Sequence, residues 1–113
     1  MNLYKSTLRS FLSEFASSLR KSRGMTQEEM AEKLRITGRA YSDLERGIYC
    51  FSTVALIFLL LMLKEDEMKE FLTALRGEID QFFRSVESVI GKAPRRNRNF
   101  HLDTPFSVNR IYR

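Results

Sequence analysis

The stretch Leu19-Arg20-Lys21-Ser22-Arg23-Gly24-Met25-Thr26-Gln27-Glu28-Glu29-Met30-Ala31-Glu32-Lys33-Leu34-Arg35-Ile36-Thr37-Gly38-Arg39-Ala40-Tyr41-Ser42-Asp43-Leu44-Glu45-Arg46-Gly47 holds two helix signals and the connection between them. Thr26 opens the first. Its hydroxyl can accept from the amide three residues on while Glu29 reaches back, the signature of a capping box. Met30, Ala31 and Leu34 fall on one side of the helix that follows and supply its buried face. A short break at Arg35-Ile36-Thr37 leads to a second segment, Gly38 to Arg46, which Gly47 is placed to end.

Outward from this centre the helical pattern continues. On the amino-terminal side Leu8, Phe11, Leu12, Phe15, Ala16 and Leu19 recur at three- and four-residue spacing, a single stripe ending near Gly24. On the other side Ser52 can cap a helix through residues 54–63, which are almost wholly apolar. Such a helix needs cover on most of its surface, from its own domain or a second subunit. A fifth helix is expected over residues 66–90, about 37 Å long. Its stripe of Met68, Leu72, Leu75, Ile79, Phe82, Val86 and Val89, widened by Phe71, Phe83 and Ile90, alternates steps of four and three and suits a coiled-coil-like dimer seam. Gly77 in its middle weakens it by about 1 kcal/mol and allows a bend or break.

Two helices joined by a three- to four-residue turn can place the second in the DNA major groove. The run from Leu19 to Leu34, with Tyr41-Ser42-Asp43-Leu44-Glu45-Arg46-Gly47 and the later Ser52 and Leu56, resembles the lambda-repressor/Cro-like (Xre-type) helix-turn-helix DNA-binding family over residues 8–63. The resemblance implies that Gln27 contacts phosphate and often an outer base. It implies that Thr37, Gly38, Arg39, Ser42 and Asp43 face DNA from the recognition helix, and that Arg46 anchors the backbone. Arg39 is the preferred base reader, because its planar fork matches the two acceptors of guanine, worth about 1–3 kcal/mol of discrimination. Asp43 can accept from cytosine or penalise a nearby phosphate. Arg20 and Glu45 match a structural ion pair tying the first helix to the third. The chain departs from the family pattern at Ile48-Tyr49-Cys50-Phe51, apolar where many relatives are basic, and at Gly38, which removes a commonly used side chain. Of the aromatic pair in that loop, Tyr49 and Phe51, folding back over the core is the simpler expectation.

Composition narrows the class further. At 113 residues, with 43% hydrophobic and 29% charged, the chain is globular. With one cysteine there is no internal disulfide, and one histidine leaves little for a metal site, so no metal and no cofactor is expected. Met1-Asn2-Leu3-Tyr4 lacks a secretory layout, and residues 54–63 fall short of the roughly 20 a membrane span needs, which points to the cytoplasm and no membrane partner. The whole net charge of +5 lies after Gly91, where Lys92, Arg95, Arg96, Arg98, Arg110 and Arg113 face only Asp103. Residues 20–47 hold seven basic and five acidic groups, so the head alone binds phosphate weakly and the tail or dimerisation is expected to help. Arg96-Asn97-Arg98-Asn99-Phe100-His101 fits the Arg-Asn-x-x-x-His pattern of a family of dimeric helical ribonucleases. It lies after Pro94 in a tail rather than inside a bundle, without a second catalytic partner, so no enzyme is expected.

The sequence thus predicts an all-α, five-helix lambda-repressor-like DNA-binding domain with an extended C-terminal helix and a basic tail. The expected divisions are 1–63 for the helix-turn-helix domain, 64–91 for a dimerising helix and 92–113 for the tail. The expected function is a transcriptional regulator, a repressor, binding an inverted-repeat operator in double-stranded DNA as a homodimer. The alternative is an antitoxin-like or phage-encoded regulator that binds and neutralises a partner protein through residues 48–113.

Overall fold

A computed structural model describes residues 3–90 of the chain. These form five helices: α1 (Leu3–Ser22), α2 (Gln27–Leu34), α3 (Gly38–Glu45), α4 (Thr53–Leu61) and α5 (Glu65–Ile90), with no strand among the described residues. The fold is all-α, as the periodicity requires.

The helix ends are where the sequence places them, for reasons that are local. Thr26 is extended, its hydroxyl accepts from the Glu29 amide at 3.0 Å, and the Glu29 carboxylate accepts from the Thr26 amide at 2.9 Å. Thr37 and Ser52 cap α3 and α4 in the same way, accepting from the amides of Ala40 and Ala55. Gly47 takes φ +77° and ends α3, with the Ile48 amide donating back to the Asp43 carbonyl. Several boundaries shift by a residue or more, among them the end of α4, which stops at Leu61 rather than residue 63. α1 begins five residues before the first member of its predicted stripe, α5 begins at Glu65, and α3 stops at Glu45 with Arg46 as its cap.

Leu12, Ala16 and Leu19 of α1 meet Met30, Ala31 and Leu34 of α2, Tyr41 and Leu44 of α3, and Ala55 and Leu59 of α4 in one core. Tyr41, Met30, Leu34 and Leu59 are its largest fully buried side chains. Each contributes on the order of 2 kcal/mol relative to exposure. This core fixes α3 across α1 and α2 and so sets which face of α3 remains outside.

Among the described residues, the compact unit built on this core runs through Glu78, and those from Ile79 onward fall in a second. The first turns of α5 therefore belong with the head. Phe71, only 4% exposed, inserts its ring 4.7 Å from Phe15 and 5.7 Å from Phe11. Arg23 donates to the Met62 carbonyl at 2.9 Å and to Glu67 at 2.5 Å, while Glu67 also accepts from the Lys64 amide at the start of α5. Helix α5 passes through Gly77 without interruption.

Helix α4 is only partly covered by its own domain. Ala55 and Leu59 are buried, but Val54, Ile57 and Leu61 remain 61%, 50% and 73% exposed, so the described residues cover only one side of it. Leu56, Phe58, Met62 and Leu63 also pack against the core, partly buried, and the three exposed positions lie on the remaining side. The loop aromatics divide, with Phe51 packed on the core and Tyr49 61% exposed.

Candidate nucleic-acid interface

Helix α3 owes its position to one carboxylate. Glu45, in its last turn, accepts from Arg20 Nε at 2.6 Å and Arg20 Nη2 at 3.1 Å, from the Tyr41 hydroxyl at 2.5 Å, and from Gln27 Nε2 at 2.8 Å. Arg20 also donates to the Met25 carbonyl at 2.9 Å, closing the turn after α1. The side chains of Arg20 and Glu45 are 14% and 8% exposed, so water competes little with the pair. Three helices and the α1–α2 turn thereby meet at one acidic group.

The electrostatics follow from these contacts. Burial alone would raise the Glu45 carboxyl's pKa, but hydrogen bonds from Arg20, Tyr41 and Gln27 outweigh it and hold the group below the ordinary carboxylate range. The hydrogen bond to Glu45 raises Arg20. Burial, helped by the same carboxylate, pushes the Tyr41 phenol well up, so it stays a donor.

The outward face of α3 begins at Thr37, exposed at the cap, and Gly38. A Cβ at Gly38 would sit 3.6 Å from Glu28 Cγ, an ordinary contact, so packing alone does not demand glycine there. Arg39 is exposed and, among the described residues, pairs with no carboxylate. Ser42 is half-buried. Asp43 and Arg46 pair with each other at 2.8 Å, with side chains 16% and 63% exposed. Gln27, at the first position of α2, turns its amide toward Glu45. Thr37, Gly38, Arg39, Ser42, Asp43 and Arg46 are brought together on one short helix and its caps, with Gln27 tied to the same helix through Glu45.

Several parts of this arrangement were not read from the sequence. The Tyr41–Glu45 bond and the Asp43–Arg46 pair lie one helical turn apart, a spacing that signals both. The joint of α2 and α3 is made by Arg35 in the left-handed region, φ +65°, where the pattern shows no glycine to announce it. Its amide and that of Ile36 return to the last carbonyls of α2.

Of the proposed seam, Met68 and Leu75 are half-buried and Leu72 is 46% exposed in the first unit. Ile79, Phe82 and Val86 are half-buried in the second, where the Phe82 and Phe83 rings lie 6.0 Å apart. The basic tail and the Arg96–His101 pattern lie outside the described residues. Among the described residues no helix is long and apolar enough to cross a membrane, and no cluster of acidic, histidine or cysteine side chains could hold a metal ion.

Residues 17–66 match the family model described as helix-turn-helix. No curated protein and no solved structure matches the chain. The match spans the capped α2, the left-handed joint, α3 and its glycine stop. Residues 17–66 are a helix-turn-helix domain of the Xre, or lambda-repressor-like, family, a DNA-binding module of transcription regulators.

Proposed function

We propose that the chain is a repressor that binds an inverted-repeat operator as a homodimer, in the cytoplasm, and acts by occupying the site. Two recognition helices, one per subunit, would enter successive major grooves about 34 Å apart. The observation that carries this reading is Arg39. It is an exposed cation at the start of α3 with no carboxylate partner among the described residues, whereas Arg46 is engaged by Asp43. An unengaged guanidinium can offer its fork to a guanine, while a paired one suits a phosphate nearby. Thr37, Gly38 and Ser42 complete the reading face, Gln27 adds a contact at the start of α2, and α5 supplies the seam between subunits.

The test is selection from a random double-stranded DNA pool with the full chain. An inverted repeat with fixed half-site spacing is expected. Arg39→Ala should then relax preference at one base position, at a cost of about 1–3 kcal/mol on the best site. Arg46→Ala should weaken all sequences alike. Equal losses from both variants on every sequence would overturn the assignment of roles.

A second reading is favoured by the exposed Ile48, Tyr49, Val54 and Ile57, which lie outside α3. Exposed apolar side chains such as these suit a protein partner, as an antitoxin-like regulator would need. Absence of any enriched DNA, from folded protein, would move the function to that surface.

A further inference from the structure

A groove of about 680 Å³ lies on the first compact unit, away from the face of α3. The turn after α1 supplies Arg23 and Met25, the end of α2 supplies Lys33 and Arg35, and α4 supplies Phe58 and Leu61 with its cap Met62. No residue of α3 and none from the first turn of α2 lines it. Its volume is in the range of small-molecule sites.

The lining is part apolar and part cationic. Phe58, Leu61, Met62 and Met25 are its apolar members, and Leu61 is 73% exposed. Arg23 is already engaged by Glu67 and by the Met62 carbonyl. Arg35 is held differently: its guanidinium carbon stands 5.2 Å from the centre of the Phe58 ring. Stacked on a ring face, a guanidinium keeps its in-plane donors for an acceptor. Among the described residues neither Lys33 nor Arg35 pairs with a carboxylate. The end of α2 carries about half a negative charge, less than the two cations placed beside it. The excess is positive, in a groove that is otherwise apolar. The chain's own residues 92–113 carry the net charge of +5 and so have the wrong sign to fill it.

We infer that this groove binds an amphiphilic organic anion, an aliphatic chain ending in a carboxylate, with the chain on Phe58 and Leu61 and the head group between Arg35 and Lys33. A planar carboxylate matches the in-plane donors of Arg35, and the ring beneath fixes the guanidinium in position to offer them. The site is separate from the DNA-reading face and the inference does not depend on that reading.

The test is calorimetric titration of the full chain with decanoate, beside decanol and decyltrimethylammonium as neutral and cationic probes of equal chain length. Saturable one-to-one binding of decanoate is expected, with decanol and the cation about tenfold weaker or more. Arg35→Asn removes the guanidinium while keeping a residue that tolerates the left-handed backbone, and should weaken decanoate about tenfold. Leu61→Glu places a carboxylate in the trough and should abolish binding. Ile57→Glu makes the same charge change on the same helix outside the groove, and should leave binding within about twofold. The inference is overturned if decanoate does not saturate, if decanol binds as tightly, or if Ile57→Glu weakens binding as much as Leu61→Glu. Circular dichroism of each variant separates loss of fold from loss of site.

Discussion

Glu45 is the residue through which the position of α3 becomes sensitive to a single substitution. Four donor atoms converge on it, so replacing it by alanine leaves Arg20 charged and half-buried and leaves the Tyr41 hydroxyl and the Gln27 amide without this acceptor. Breaking such a pair costs about 3–5 kcal/mol, more than the pair itself contributes. The pH dependence has a definite sign. The folded carboxyl titrates below its unfolded value near 4.3, so its contribution is fully present above about pH 4.3 and is lost as the pH falls through the lowered folded value. Urea unfolding of the native chain between pH 7 and 3 should therefore lose stability more steeply at the acid end than the Glu45→Gln variant. Parallel curves would show that the carboxylate's charge is immaterial there. The Arg20–Glu45 distance was foreshadowed only through the family resemblance. Tyr41 and Gln27 joining the same carboxylate depends on packing, which no local pattern contains.

At the scale of elements, the two kinds of helix signal fared differently because they depend on different ranges of the chain. Caps and stops are local chemistry: Thr26, Thr37, Ser52 and Gly47 each act within four residues, and each ends or starts a helix as its type dictates. Burial is not local. Residues 54–63 read as a helix needing cover on most of its surface, from its own domain or a second subunit; Ala55 and Leu59 are buried, Leu56, Phe58, Met62 and Leu63 pack against the core, and Val54, Ile57 and Leu61 stay exposed, since a neighbour's position decides which side is wet. Phe71 shows the converse: it only widens the stripe of α5 in the sequence, yet its ring packs against Phe11 and Phe15. Two glycines, one just past the end of α3 and one inside α5, give a test in which the same substitution has opposite effects. Gly47 holds φ +77°, so Gly47→Ala forces a left-handed alanine and should cost about 1 kcal/mol or more. Gly77 lies inside α5 with nothing within 4 Å of an added Cβ, so Gly77→Ala should stabilise by about 1 kcal/mol. Thermal melts should separate the two variants by roughly 10 °C, with the native chain between them. A lower melting point for Gly77→Ala would mean that α5 uses its glycine for something other than helix.

For the whole molecule the governing quantity is where the charge lies. Residues 1–91 balance, and the +5 belongs to 92–113, while the face of α3 presents one unengaged cation, Arg39, and one engaged by Asp43. On the proposed reading, base reading would fall to α3 and most phosphate attraction to the tail. A head of this kind positions itself weakly, since neutralised phosphates supply most non-specific affinity. If the tail lies along DNA, each phosphate it neutralises adds about 0.9 to the slope of log affinity against log salt. Replacing Arg95, Arg96 and Arg98 by glutamine in the full chain should then flatten that slope by about 3 and weaken all sequences equally, leaving the selected half-site unchanged. Arg39→Ala should do the reverse, altering the preferred bases while the slope moves by less than about 1. An unchanged slope in the triple variant would place the tail off the DNA. The neutral head would then need its second subunit, rather than its own carboxyl-terminal residues, to hold the operator.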